Sequence, residues 1–231
     1  MKMGMGMPIP DLSNLPGVSR PGGGGTPGPP PLAQIDNLNS MSFDGMNDYV
    51  DVRTTTINGS GSFSVWFNTS SAPAYQNILS SNGVASMFRY LTVKVGKLNQ
   101  YILGVGWVEL SSQNVSDGQW HNLVFTYDST TAGGPKRGTF KAYIDGILTK
   151  TYDMNGSTEN WETSPLASIG HYSTSIGRRF NGKIDEVAAW NVILTEEEAL
   201  SIYNATAVVG GVNKTADLSQ LTTPPIAWYR M

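Results

Sequence analysis

Four groups of residues in this sequence have types and spacings that could carry chemistry. The first is acidic: Asp185-Glu186 in GKIDEVAAW and Glu196-Glu197-Glu198 in LTEEEAL. Paired carboxylates can divide general acid and base roles, but only if both project onto one face. Neighbours on a strand point to opposite faces, which separates Asp185 from Glu186. The second group is a set of hard oxygen donors, Asp44, Asn47 and Asp48 in SFDGMNDYV, with Asp117 and Asp153 as further loop carboxylates. Such oxygens suit calcium, and the same Asp and Asn types also make turns; both readings stand at this point. The third is histidine: His121 follows Trp120 in QWHNL and His171 follows Gly170. A lone His is no metal site, so His121 is expected to be a structural, hydrogen-bonded residue and His171 a loop residue within reach of a ligand. The fourth group lies in loop-like stretches. Trp107, Trp161 and Tyr172, with Tyr75, could form a sugar platform, and Arg178-Arg179 could contact an acidic sugar or a neighbouring subunit.

These residues must be positioned by strands. GSFSVWFNTS alternates Phe63, Val65 and Phe67 against Ser62, Ser64 and Trp66. QWHNLVFTYD reads as a strong strand, and AYIDGILT as a hairpin closed at Asp145-Gly146, a pair suited to a type I′ turn. In GKIDEVAAW, Ile184, Glu186, Ala188 and Trp190 are expected on one side and Lys183, Asp185, Val187 and Ala189 on the other. Thr195 and Glu198 have the spacing of a capping box, and Ala199, Leu200, Ile202 and Tyr203 give a short apolar helix face. The triple Glu then falls in the first helical turn, where carboxylates offset the dipole rather than catalyse. Regular short strands with turn residues between them imply a sandwich or barrel.

Composition narrows the function. The 231 residues are 39% hydrophobic, enough for a core, and only 14% charged, with a net charge of −3. Lys and Arg are scattered, so neither nucleic acid nor an anionic membrane is an expected partner. There is no cysteine, which removes disulfides, thiolate metal sites and cysteine nucleophiles. No run reaches transmembrane length, and MKMGMGMPIP lacks the apolar core of a secretory signal. Eight of the 13 prolines lie between Pro8 and Pro31, so residues 1–37 are expected to form an extended Pro/Gly/Met-rich arm. Residues 38–204 form the globular part. Residues 205–231 read as a linker and a terminal strand, PIAWYRM, which either pairs back or begins a further domain.

Six segments in register carry a family resemblance: SFDGMNDYVDV, GSFSVWFNT, DGQWHNLVFTYD, AYIDGILT, SIGHY and GKIDEVAAWNVILTEEEALSIY. Together they resemble laminin-G-like, concanavalin A-like and pentraxin-type jelly-roll domains, over residues 40 to 204. The resemblance implies an all-β antiparallel jelly-roll sandwich with one short C-terminal helix. Glycosidases on related jelly rolls use the strand pattern Glu-x-Asp-x-x-Glu, which this chain lacks, so no enzyme is expected. With its Pro/Gly arm and no cysteine, the chain is also similar to modules in structural proteins of marine bacteriophages, especially those infecting cyanobacteria. That implies a virion structural protein, a capsid decoration or fibre component, and a homo-oligomer. Its arm would contact other virion or capsid proteins and sister subunits at the virion surface. The rival implication is a glycan-binding adhesin, calcium-assisted through Asp44, Asn47 and Asp48, meeting host surface glycans from a phage, from a bacterial cell surface or as an extracellular protein.

Overall fold

The computed structural model describes residues 32–81, 90–102, 105–128, 138–153, 163–171, 178–209 and 211–231. It is an antiparallel β-sandwich. One large sheet has the order β11 (Ile147–Asp153), β10 (Thr139–Ile144), β9 (Trp120–Asp128), β4 (Gly61–Asn68), β13 (Asn181–Trp190). The far edge of β13 is shared by two short strands. β2 (Met41–Asp44) pairs with its first half, Asn181 to Ile184, and β16 (Ala227–Tyr229) with its second half, Val187 to Ala189. The six-stranded sheet runs β3 (Val50–Asn58), β12 (Thr163–Ile169), β5 (Gln76–Ser81), β6 (Tyr90–Lys94), β7 (Lys97–Ile102), β8 (Gly106–Asn114). A small third sheet joins β1 (Gln34–Asp36), β15 (Val212–Ala216) and β14 (Ala207–Val209).

The alternation read from GSFSVWFNTS holds. Phe63, Val65 and Phe67 are buried in the main core between the large sheets, with Leu91, Val93, Leu98, Phe125 and Phe140. The opposite face of the first sheet is also buried. Val124, Ala188 and Trp190 on that face pack under helix α1 (Glu196–Asn204) and the C-terminal segment, through Leu194, Ala199, Ile202, Ala216 and Leu218. The helix starts where the capping box predicts: Thr195 Oγ1 accepts from the Glu198 N–H at 3.1 Å, and Glu198 Oε2 accepts from the Thr195 N–H at 2.9 Å. Asp145 and Gly146 have φ of 53° and 74°, as a type I′ turn requires.

One strand departs from simple alternation. The β13–β4 register shifts between Asp185 and Ala188, and Glu186 has a φ of 50°. This bulge inserts an extra residue, so Ile184 shares the main core with Val187 and Ala189, while Ala188 and Trp190 face the second core. The expected grouping of Ile184 with Ala188 and Trp190 is corrected accordingly. The bulge lies at the seam between the two edge strands, and the C-terminal segment uses both carboxylates there. Asp185 Oδ1 accepts from the Glu186 and Met231 N–H groups at 2.7 and 3.1 Å. Glu186 accepts from Thr215 Oγ1, Trp228 Nε1 and Arg230 Nε at 3.1, 2.5 and 3.2 Å. Burial pushes the Asp185 carboxyl up to about 7. Among the described residues no helix is long and apolar enough to cross a membrane.

Candidate functional site

α1 and the C-terminal segment cover the outer face of the first sheet at Val124, Tyr143, Ala188 and Trp190, whereas the outer face of the six-stranded sheet gathers aromatic and cationic side chains. Its composition follows from the period of two. Leu91 and Val93 of β6 and Leu98 of β7 point into the core, so Tyr90, Thr92 and Lys94, and Asn99 and Tyr101, point out. The β6–β7 hairpin closes at Val95-Gly96, with φ of 49° and 78°. Cross-strand register then sets Tyr90 opposite Tyr101 and Tyr101 opposite Trp107, with Asn77, Thr92, Asn99 and Glu109 in the next row.

The first row is an aromatic tray. Trp107 lies 5.1 Å from Tyr101, edge to face, and 6.2 Å from Tyr90, while Tyr90 and Tyr101 are 5.5 Å apart. Tyr75 stacks on Trp107 at 5.1 Å. Tyr75 is not on a strand, so something must hold it, and that is Gln76. Fully buried, Gln76 donates through Nε2 to Ser71 O at 2.6 Å and Thr69 Oγ1 at 3.2 Å, and its Oε1 accepts from the Asn181 N–H at 3.1 Å. Ser116 Oγ also donates to Ser71 O at 2.9 Å, and the Val95 N–H to Pro73 O at 3.1 Å. The loop before Tyr75 is thus tied to Gln76, Ser116 and Val95, and through Gln76 to Asn181.

Two cations lie over the tray. The Arg178 guanidinium is 4.8 Å from the Tyr75 ring, 5.5 Å from Tyr90 and 5.8 Å from Trp107. Lys94 Nζ is 5.4 Å from Trp107 and 5.7 Å from Tyr75. Arg178 is positioned by its own backbone, whose carbonyl accepts from the Asn77 N–H at 3.0 Å. In the second row Thr92 Oγ1 donates to Asn77 Oδ1 at 2.7 Å, and Glu109 accepts from Lys97 through both oxygens at 3.2 Å.

Of the residues expected from sequence, the structure brings Trp107 and Arg178 together, with Tyr75. Arg179 is directed elsewhere: its charge reaches His171, whose imidazole is held below its ordinary value first by burial and then by that charge. Trp161 and Tyr172 lie outside the described residues. Asp44, Asn47 and Asp48 are adjacent at the end of β2, with their carboxylates on backbone: Asp44 Oδ1 accepts from Met46 and Asn47 N–H at 2.7 and 3.3 Å, and Asp48 Oδ2 from Asp44 N–H at 3.0 Å. Among the described residues no group of three or more His, Cys, Asp or Glu could hold a metal ion. His121 is 4% exposed between Asp145 (Nδ1, 2.8 Å) and Asp117 (Nε2, 3.2 Å). Burial opposes its charging, but the hydrogen bonds and charges of the two carboxylates, Asp145 first, together raise its affinity for the proton. Sequence reading missed Tyr90, Lys94 and Tyr101. The signal was there in YLTVK and LNQY, where polar and aromatic residues alternate with Leu91, Val93, Leu98 and Gln100.

Residues 44–199 match the family model of the concanavalin A-like lectin/glucanases superfamily. The chain belongs to that superfamily. This concanavalin A-like chain also resembles solved structures in fold. One is a Bacteroides ovatus protein assigned to carbohydrate binding (16% identity, TM-score 0.58, 87% of this chain and 52% of that one). Another is the heptameric SAP-like pentraxin of Limulus polyphemus (15%, TM-score 0.53, 70% and 80%). A third is the CBM40 module of the Ruminococcus gnavus IT-sialidase (13%, TM-score 0.51, 75% and 100%). The chain thus spans about half the length of the Bacteroides ovatus protein. No protein of curated function matches the sequence.

Proposed function

We propose that this chain is a non-catalytic carbohydrate-binding module that takes a sugar on the outer face of β5 to β8. The observation that carries this reading is the tray of Tyr75, Tyr90, Tyr101 and Trp107, held by Gln76 on a rigid sheet and flanked by N–H donors. Aromatic surface with a few placed polar groups is the usual composition of a small-ligand site. The superfamily and the fold likeness to a protein assigned to carbohydrate binding and to a sialidase CBM40 support it. A binding role also suits the acids. Asp185 and Glu186 are engaged by the C-terminal segment, and Glu109 on the tray face is bonded to Lys97. A carbohydrate-binding role places the module at an extracellular, cell-surface or virion-surface position, where glycans are displayed. The alternative expectation, assembly through the Pro/Gly arm, concerns residues 1–37, of which 1–31 lie outside the described residues.

A glycan array tests the reading. Wild type binds a defined set of glycans, and Trp107→Ala loses about thirtyfold in affinity, as for truncation of a central aromatic anchor. Thermal unfolding run in parallel distinguishes loss of binding from loss of fold. A folded protein that binds no glycan, or a folded Trp107→Ala that binds as wild type does, refutes the reading.

A further inference from the structure

The tray says more than that a sugar could stack on it, because cations already lie over three of its four rings, Tyr75, Tyr90 and Trp107. Trp107 is contacted by Tyr75, Tyr90 and Tyr101, and the Tyr75 and Trp107 rings each carry both Arg178 and Lys94. A sugar that lays its C–H face on the Tyr75 or Trp107 ring meets those cations. What the face offers is cationic N–H donors. Among the described residues no carboxylate lies within ion-pair distance of Arg178 or Lys94, whereas the adjacent Lys97 is answered by Glu109 at 3.2 Å. Two unanswered cations sharing two rings repel each other, and an anion between them removes that repulsion. Flanking rings also hold the Arg178 guanidinium over the tray, which favours a two-pronged bond to two oxygens of one oxyanion, carboxylate or sulfate. A buried polar group lies in the row below. Asn77 is fully buried, its Oδ1 accepts from Thr92, and its Nδ2 has no hydrogen-bond partner among the described residues. The local positive charge contrasts with a chain whose net charge is −3, so it is a property of this face and not of the surface at large.

From this we infer that the ligand is an anionic glycan, bearing a carboxylate or sulfate group that is bound by Arg178 and Lys94 over the aromatic tray. The inference rests on the carbohydrate-binding reading and specifies its ligand class. The test uses the full chain and matched pairs on one array: oligogalacturonate against its methyl ester, and sulfated against desulfated galactan. Binding should be confined to the charged members, weaken steeply with salt, and fall about ten- to hundredfold in Arg178→Gln. Lys94→Gln should cause a smaller loss, and Lys141→Gln on the other sheet none. The carboxylate and sulfate arms identify which oxyanion is read. Equal binding to charged and neutral members, or full binding by a folded Arg178→Gln, overturns the anionic inference and leaves the carbohydrate-binding reading standing. Silence towards every glycan overturns both.

Discussion

Replacing Glu186 by Ala should loosen the C-terminal segment from the sandwich. The Glu186 side chain is 4% exposed and takes donors from Thr215, Trp228 and Arg230, so it joins β13 to β15 and to the segment carrying β16. Losing an acceptor costs about 1–3 kcal/mol for each buried donor left unsatisfied. Thr215 counts in full and Trp228, half-buried, in large part. Arg230 is 42% exposed, so solvent compensates most of its loss. Removing a buried charge returns part of its desolvation cost. The net expectation is a destabilisation of about 2–4 kcal/mol. For a domain of this size that lowers Tm by roughly 4–16 °C. Glu186→Gln keeps one carbonyl acceptor and should lose about half as much. Calorimetry and urea unfolding measure the total, and amide hydrogen exchange shows where it acts: Ala227, Trp228 and Tyr229 should lose protection before β4 and β9. An Ala variant within about 1 kcal/mol of wild type, with protection in β16 unchanged, would refute the assignment of Glu186 as the anchor.

Two pH effects follow from buried titrating groups. Asp185 has a carboxyl raised to about 7, chiefly by burial, so its contribution is full below 3.8 and is lost as pH rises through about 7. Asp185→Asn should flatten that part of the urea-midpoint profile and be at least as stable as wild type at pH 8. For His121, raised above 6.5 against the effect of burial by Asp145 and then Asp117, the clamp is intact below 6.5 and lost as pH rises through the raised value. His121→Gln should remove this second step and lower stability at pH 6; an unchanged profile would show that the clamp carries no proton-linked stability. Two glycines separate backbone strain from steric exclusion. Gly106 has a φ of 99° with open space around it, so Gly106→Ala should cost about 1–3 kcal/mol. At Gly182 (φ 150°) an added Cβ would lie 2.1 Å from Asn68 O, so Gly182→Ala should be distinctly worse in urea unfolding.

The sandwich was legible because its strands obey period two and its turns carry their own residues. Phe63, Val65 and Phe67, the Asp145-Gly146 turn and the Thr195–Glu198 cap depend on neighbours a few positions away. The bulge at Glu186 was not legible. It depends on Trp228 and Arg230, more than 40 residues further along, which take up a carboxylate that local alternation would have sent to one face. The candidate site was half legible for the same reason. Trp107 and Arg178 are conspicuous as residue types, but Tyr90, Lys94 and Tyr101 become neighbours of theirs only through the β6–β7–β8 register. The role of Gln76 as the brace of Tyr75 needs Asn181, far along the chain, to be seen at all.

Chemical-shift mapping of the ¹⁵N-labelled protein, titrated with the strongest-binding glycan of the array, tests the central claim most directly. The account predicts shifts concentrated in Tyr75–Asn77, Tyr90–Lys94, Asn99–Tyr101, Trp107 and Arg178, with β9, β10 and β11 unmoved. Shifts centred on Asp44–Asp48 or on the sheet of β9 to β11, with the tray silent, would contradict it.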